Sequence, residues 1–204
     1  MTYQEIDLPV TGTPISVADF GAKVKADLEY LRDMGGGSNP LPLHIASAQA
    51  PLSGLTAAAI EVSQSGAATV KPQFYKLLFD GAADEGRMWN FAIPSGYIDT
   101  PKLIIQFHLA TADTAARTVI FNAQIAAVSN GDATLSAKEF AAANAGNTAI
   151  AGTAYVNEQQ VITLTNADGL AANDQVCLVL WRNADADTCV RDAIVTYVGF
   201  SYNV

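Results

Sequence analysis

Cysteine is nearly absent from this chain. Cys177 and Cys189 are the only two in 204 residues, too few for the disulfide framework that staples small secreted domains. They are read as reduced, partly buried thiols, with pairing left open should their strands adjoin. Histidine is as scarce: His44 and His108 stand far apart in sequence. With so few, there is no H-E-x-x-H, no Cys set beside a His and no zinc-ligand spacing, and no G-x-S-x-G elbow is present either. Charge is also thin. Charged residues make up 15% of the chain, against the usual quarter. The 11 Lys and Arg are scattered among 20 Asp and Glu, for a net charge of −9. Nucleic acid and anionic membrane surfaces both need clustered cations, so neither is an expected partner. No apolar run approaches the roughly 20 residues of a spanning helix, and the opening Met1-Thr2-Tyr3-Gln4-Glu5 has no basic region leading into an apolar one, so no secretory leader is expected.

Half of the residues are apolar, much of that Ala. The length suits one large domain preceded by an attachment segment. The expected division is 1–40, an arm, helix and Gly hinge, and 41–204, a β-rich body. Residues 1–14 carry Pro9 and Pro14 among β-formers and read as an extended arm. Residues 15–34 read as a helix: Ser16 caps the first turn with Asp19 three positions on, and Val17, Phe20, Val24, Leu28 and Leu31 fall on one stripe. Gly35-Gly36-Gly37 ends it.

From residue 41 the period becomes two. Leu103, Ile105, Phe107 and Leu109 alternate with Lys102, Ile104, Gln106 and His108, and Val119 to Ala127 repeats the pattern up to the turn Asn130-Gly131-Asp132. Further strands are expected at 43–46, 55–62, 69–71, 74–79, 88–93, 149–156, 161–165, 176–181 and 193–202. Residues 135–145 read as a helical turn or an Ala-rich loop. In the last strand Ile194, Thr196, Val198, Phe200 and Tyr202 are expected on one face. Eight or more short strands without regular helices between them indicate a sandwich or barrel.

Residues that chemistry would use are sparse. Asp80, Asp84 and Glu85, and again Asp185, Asp187 and Asp192, are oxygen-rich enough to ask about Ca²⁺, but acidic turns between strands are ordinarily solvated, and no metal or other cofactor is expected. Glu61 and Glu139 have no neighbours that mark a glycosidase acid pair. Trp89, Trp181, Tyr97, Tyr155, Tyr197 and Tyr202 would suit a sugar-binding face or, more ordinarily, a core. The expectation is a protein that is not an enzyme.

The order of the strands carries a resemblance. After residues 87–132 come T-L-T-x-A-x-G-L-A-A at 163–172, L-x-L-x-R-x-x-D at 178–185 and D-A-x-V-x-x-V-x-F-x-Y at 192–202. This resembles the jelly-roll domains of tailed-bacteriophage virion proteins, which include capsid decoration (cement) proteins and head or tail fibre components. Residues 9–34 are similar to the short anchoring heads of phage structural proteins. The resemblance implies an all-β, jelly-roll-type sandwich behind an arm and one amphipathic helix, a homotrimer on the capsid exterior of a virion, and the major capsid protein as partner. Lack of a repetitive shaft favours a decoration protein over a fibre, with a receptor- or glycan-binding head as the alternative. The contact residues expected on that basis are Tyr3, Ile6, Leu8, Val10, Ile15, Val17, Phe20, Val24, Leu28 and Leu31. Arg182 and Asp187 are read only as a strand-edge ion pair.

Overall fold

A computed structural model describes residues 40–64, 72–113, 117–132, 137–150 and 152–203, all within the larger of two units into which the chain divides, Ser38–Val204. The elements are β1 (Leu41–Pro42), a 3-10 turn (Ile45–Ser47), β2 (Thr56–Ala57), β3 (Ala59–Gln64), β4 (Gln73–Phe79), β5 (Glu85–Ala92), β6 (Lys102–Leu109), β7 (Arg117–Val128), β8 (Asn144–Ile150), β9 (Glu158–Thr163), β10 (Gln175–Arg182) and β11 (Ala193–Ser201). They form two sheets. One has the order β3-β4-β11-β6-β9, with β1 also paired to β11; the other runs β2-β5-β10-β7-β8. From β4 onward the chain crosses between the sheets at nearly every connection, and these strands pair with one another antiparallel, while the short β2 runs parallel to β5. That interleaving is the jelly-roll form of an all-β sandwich, as the sequence led us to expect.

The alternation explains the layers. In β6, Leu103, Ile105, Phe107 and Leu109 are buried while Lys102, Ile104, Gln106 and His108 are partly exposed. In β7, Val119, Phe121, Ala123, Ile125 and Ala127 face the same core. On the β8–β9 side, Gly146 leaves room for Ile162 and Gln160, where an added Cβ would come within 2.9 Å of both.

Three local expectations change. Residues 43–46 form no strand; after β1 pairs with β11, the chain turns through the 3-10 segment to the other sheet, where Gln49 exchanges backbone bonds of 2.8 and 3.0 Å with Met88. Leu43, Ile45 and Ala48 are buried along this crossing, so it seals the open side of the sandwich and cannot lie flat as a strand. The strand expected at 149–156 ends at Ile150. Gly152 and Tyr155 take φ of 76° and 62°, a left-handed backbone that no ladder accommodates. Its true start is Asn144, within a run of Asn, Ala, Gly and Thr that gains strand form from pairing with β7. In β11 the register shifts between Val195 and Tyr197. Thr196 is the extra residue of a bulge, so Val195, Val198 and Phe200 all reach the core.

At one end of the sandwich the loops after β4 and β10 interlock. Gly81 N–H donates to Asp192 Oδ1 at 3.1 Å, and Ala184 N–H to Asp84 Oδ1 at 2.7 Å. A Cβ on Gly81 would stand 2.6 Å from the Val190 carbonyl carbon and oxygen. Gly81→Ala is therefore expected to separate the two loops and cost about 1–3 kcal/mol as an overpacking strain. Thermal unfolding checks this, with Ala83→Ser, at an exposed position of the same loop, as the control.

Candidate functional site

The bulge in β11 sits where the first sheet splits. β4 pairs with β11 only through Leu77, Leu78 and Phe79. Beyond that point the 40–48 crossing takes the place beside β11, with Leu43 N–H donating to the Val198 carbonyl at 2.9 Å. The rest of β4 stays paired to β3 on its other side and diverges. The space between the diverging strands is a groove of about 580 Å³, within the size range of small-molecule sites.

One wall is Gln73, Phe74 and Tyr75 of β4; the opposite wall is Thr196 and Tyr197 of the bulge; the floor is the 42–47 crossing, with His44 and Ser47 at its surface. Phe74 and Tyr75 are 59% and 51% exposed: Phe74 is in phase with Lys76 and Leu78 on the outer face of β4, while Tyr75 shares the phase of the buried Leu77 and Phe79 but lies where β11 no longer pairs. The Tyr197 ring lies over Gly199, the one position in β11 where it meets no Cβ. Burial pushes the Tyr197 phenol above its ordinary range, so it keeps its O–H near neutrality. The His44 carbonyl accepts from Trp89 Nε1 at 3.0 Å and from Ser47 Oγ at 2.8 Å. Ser47 is thus committed to a backbone oxygen, which does not activate it as a nucleophile.

β4 also lines the groove with its backbone. Along a strand, successive residues direct their N–H and C=O to opposite sides. Over 73–76, alternate residues present these groups toward β11 where β11 no longer pairs.

The other residues considered from sequence scatter. Tyr3, Ile6, Leu8, Val10, Ile15, Val17, Phe20, Val24, Leu28 and Leu31 lie outside the described residues, as do the helix at 15–34 and the strand at 69–71. Trp89 is core at 3% exposed. Tyr97 and Tyr202 pair at 5.7 Å and continue through Phe200 to Phe91, a ladder leading out of the core. His108 stacks on Tyr155 at 5.6 Å. The two histidines do not meet.

The acidic clusters are loop staples. Asp80 Oδ1 accepts from Ala82 N–H and Glu85 Oε2 from Asp80 N–H, both at 2.8 Å. Among the described residues no three His, Cys, Asp or Glu side chains converge as a cation site. Both thiols are free, and burial raises the Cys177 pKa. Cys177 borders a smaller groove of about 300 Å³ with Met88, Asn90 and Phe140; the lysine there, Lys138, is held by Asp168 at 2.9 Å.

Phe74, Tyr75 and the role of His44 were missed from sequence. The signal was available: two aromatics in succession on a strand point to opposite faces, and in a sheet buried on one side one of them must leave the core.

No protein-family model matches the chain, and no curated protein matches it. Solved structures of similar architecture include a carbohydrate-binding module of the β-sandwich superfamily, with 9% identity and a TM-score of 0.42 over 81% of this chain. The match spans 62% of that protein's length. A second is the carbohydrate esterase of the Shiga toxin-encoding bacteriophage phi24B, with 12% identity, a TM-score of 0.37 and coverage of 82% of this chain and 100% of that one. A third is the family 11 carbohydrate-binding module of Clostridium thermocellum, with 9% identity, a TM-score of 0.36 and coverage of 78% and 95%. Likeness at this level concerns the β-sandwich alone.

Proposed function

We propose that the chain is a non-catalytic glycan-binding module whose site is the groove between β4 and β11. The observation that carries this is the pairing of exposed aromatic faces, Phe74 and Tyr75, with hydrogen-bonding groups on three sides: Gln73, Thr196 and His44. A pyranose ring has apolar C–H faces and a polar rim, and this lining matches both. The groove, and not the distant likenesses, supports the reading. No Asp or Glu is among its described lining residues, whereas glycoside hydrolysis uses a carboxylate pair, which supports reading the groove as one that holds a sugar. Screening the full chain on a glycan array tests this. Saccharide binding that Tyr75→Ala abolishes supports it; an array without hits overturns it.

One observation favours a second reading, the virion structural protein. Val62 opposes Tyr75 on the β3–β4 hairpin, and at 47% exposure it joins Tyr75 in an apolar patch on that face of the kind that marks protein contacts. A homotrimer on the capsid exterior, bound to the major capsid protein, would cover it. Light scattering from the full chain decides: a trimer that Val62→Glu dissociates supports this reading, and a monomer at high concentration removes it.

A further inference from the structure

We infer that the groove selects neutral saccharides and rejects those bearing carboxylate or sulfate; this rests on the glycan-binding reading above. The observation is the charge of the walls. Among the described residues, none of the twelve that line the groove is Asp, Glu, Lys or Arg. The lysine that follows on β4, Lys76, is spent on Glu61 of β3 at 3.2 Å. A uronic or sialic acid carboxylate held against these walls would meet no lysine or arginine, so nothing offsets whatever hydration it gives up there. The chain's net charge of −9 adds a repulsive field against any polyanion.

Hydroxyl groups, by contrast, find complementary partners. A sugar hydroxyl both donates and accepts. The groove offers the Gln73 amide, which does both; the Thr196 hydroxyl, which donates to the Gln106 carbonyl at 3.4 Å and is left to accept; the Tyr197 phenol; and the N–H and C=O groups that alternate residues of 73–76 direct at it. Donors and acceptors alternate along that strand edge at the pleat spacing, which suits the regular hydroxyl rim of a chain of neutral sugars better than one anchored anion. The aromatic walls add contact with C–H faces, which charge does not alter.

The test uses the full chain and two probe sets, measured by calorimetry at low and at high salt. The neutral set is cellohexaose, mannohexaose and xylohexaose; the anionic set is hexagalacturonate and sialyllactose. Binding confined to the neutral set, unchanged by salt and weakened about tenfold by Tyr75→Ala, is the expected result. Phe74→Ala, fully on the surface, should weaken it too, and guards against loss of fold at Tyr75. Binding of the anionic set that falls with salt would overturn the selectivity and leave glycan binding standing. Binding of neither set would overturn both.

Discussion

Replacing Arg182 by Ala should cost about 3–5 kcal/mol of folding stability, the penalty for breaking a buried ion pair by removing one partner. Arg182 is fully buried, and so is the carboxylate it meets: Nε donates to Asp187 Oδ2 at 2.8 Å, with the two side chains 0% and 1% exposed. The guanidinium also donates to the carbonyls of Arg191 at 2.6 Å and of Cys189. One side chain at the end of β10 therefore organises the loop that leads to β11, and the Asp187 carboxylate completes it by accepting from Cys189 N–H at 3.0 Å. Truncation leaves Asp187 charged and buried with no cation, and frees two carbonyls. Since domains are stable by only about 5–15 kcal/mol, the loss should move the urea midpoint by a large fraction of its value. The double variant Arg182→Met with Asp187→Leu should recover only part of the loss: it removes the stranded charge but leaves the Arg191 and Cys189 carbonyls and the Cys189 N–H without their partners. A loss below about 1 kcal/mol for Arg182→Ala, the scale of an exposed pair, would contradict this burial.

How far sequence reading reached can be judged from this residue. Val176, Leu178, Leu180 and Arg182 share one phase of β10, and the first three are core. Phase alone placed the guanidinium indoors. The sequence reading paired Arg182 with Asp187, on the resemblance, as a strand-edge ion pair; the structure has the pair but buries it, because the loop that carries Asp187 folds back over the strand end, which neighbours in space decide and sequence spacing does not show. The same reason hid the role of Asp84 and Asp192. Each accepts a backbone N–H from a segment about a hundred residues away, and sequence distance conceals such pairs. Strands whose two faces differ were plain: β6 alternates strictly because one face is core, whereas β7 and β10 also bury Asn122, Ala126 and Val179 of the other phase. Strand order was not, because pairing between β4 and β11 or β6 and β9 is decided by which edges meet in space.

The groove was illegible for a related reason. It exists because a segment outside the alternating pattern, 41–48, takes a place in the sheet that β4 would otherwise hold. Leu43 and Ile45 suggested a strand, and they do bury their side chains; they do so while crossing from one sheet to the other. The bulge at Thr196 is a length mismatch between partners, visible in a register and not in a composition. The exposed Tyr75 follows from these two facts; Phe74 is exposed by the strand's own alternation.

Phe121→Ala should be comparably damaging, at about 3–5 kcal/mol. Phe121 belongs to β7 and is fully buried. Its ring meets Phe79 of β4 and Phe107 of β6 edge-to-face, each at 5.4 Å with interplanar angles of 76° and 74°. Both partners lie in the opposite sheet, so this side chain is a tie across the sandwich. Deleting it removes the buried ring's transfer energy, opens a cavity that flanking strands held by ladder bonds cannot close, and strips two aromatic contacts. Phe121→Leu keeps most of the volume and should cost distinctly less, which separates packing from any local strand effect. Phe121 is also the register partner of Arg182 on β10, and Arg182 Nη1 lies 3.5 Å from the Phe79 carbonyl. Residues that share neighbours in this way are not independent, so a double-mutant cycle on Arg182 and Phe121 should show a coupling of about 0.5–3 kcal/mol. A coupling indistinguishable from zero would mean that the aromatic tie and the buried ion pair are held by separate parts of the core, contrary to the shared position of Phe79.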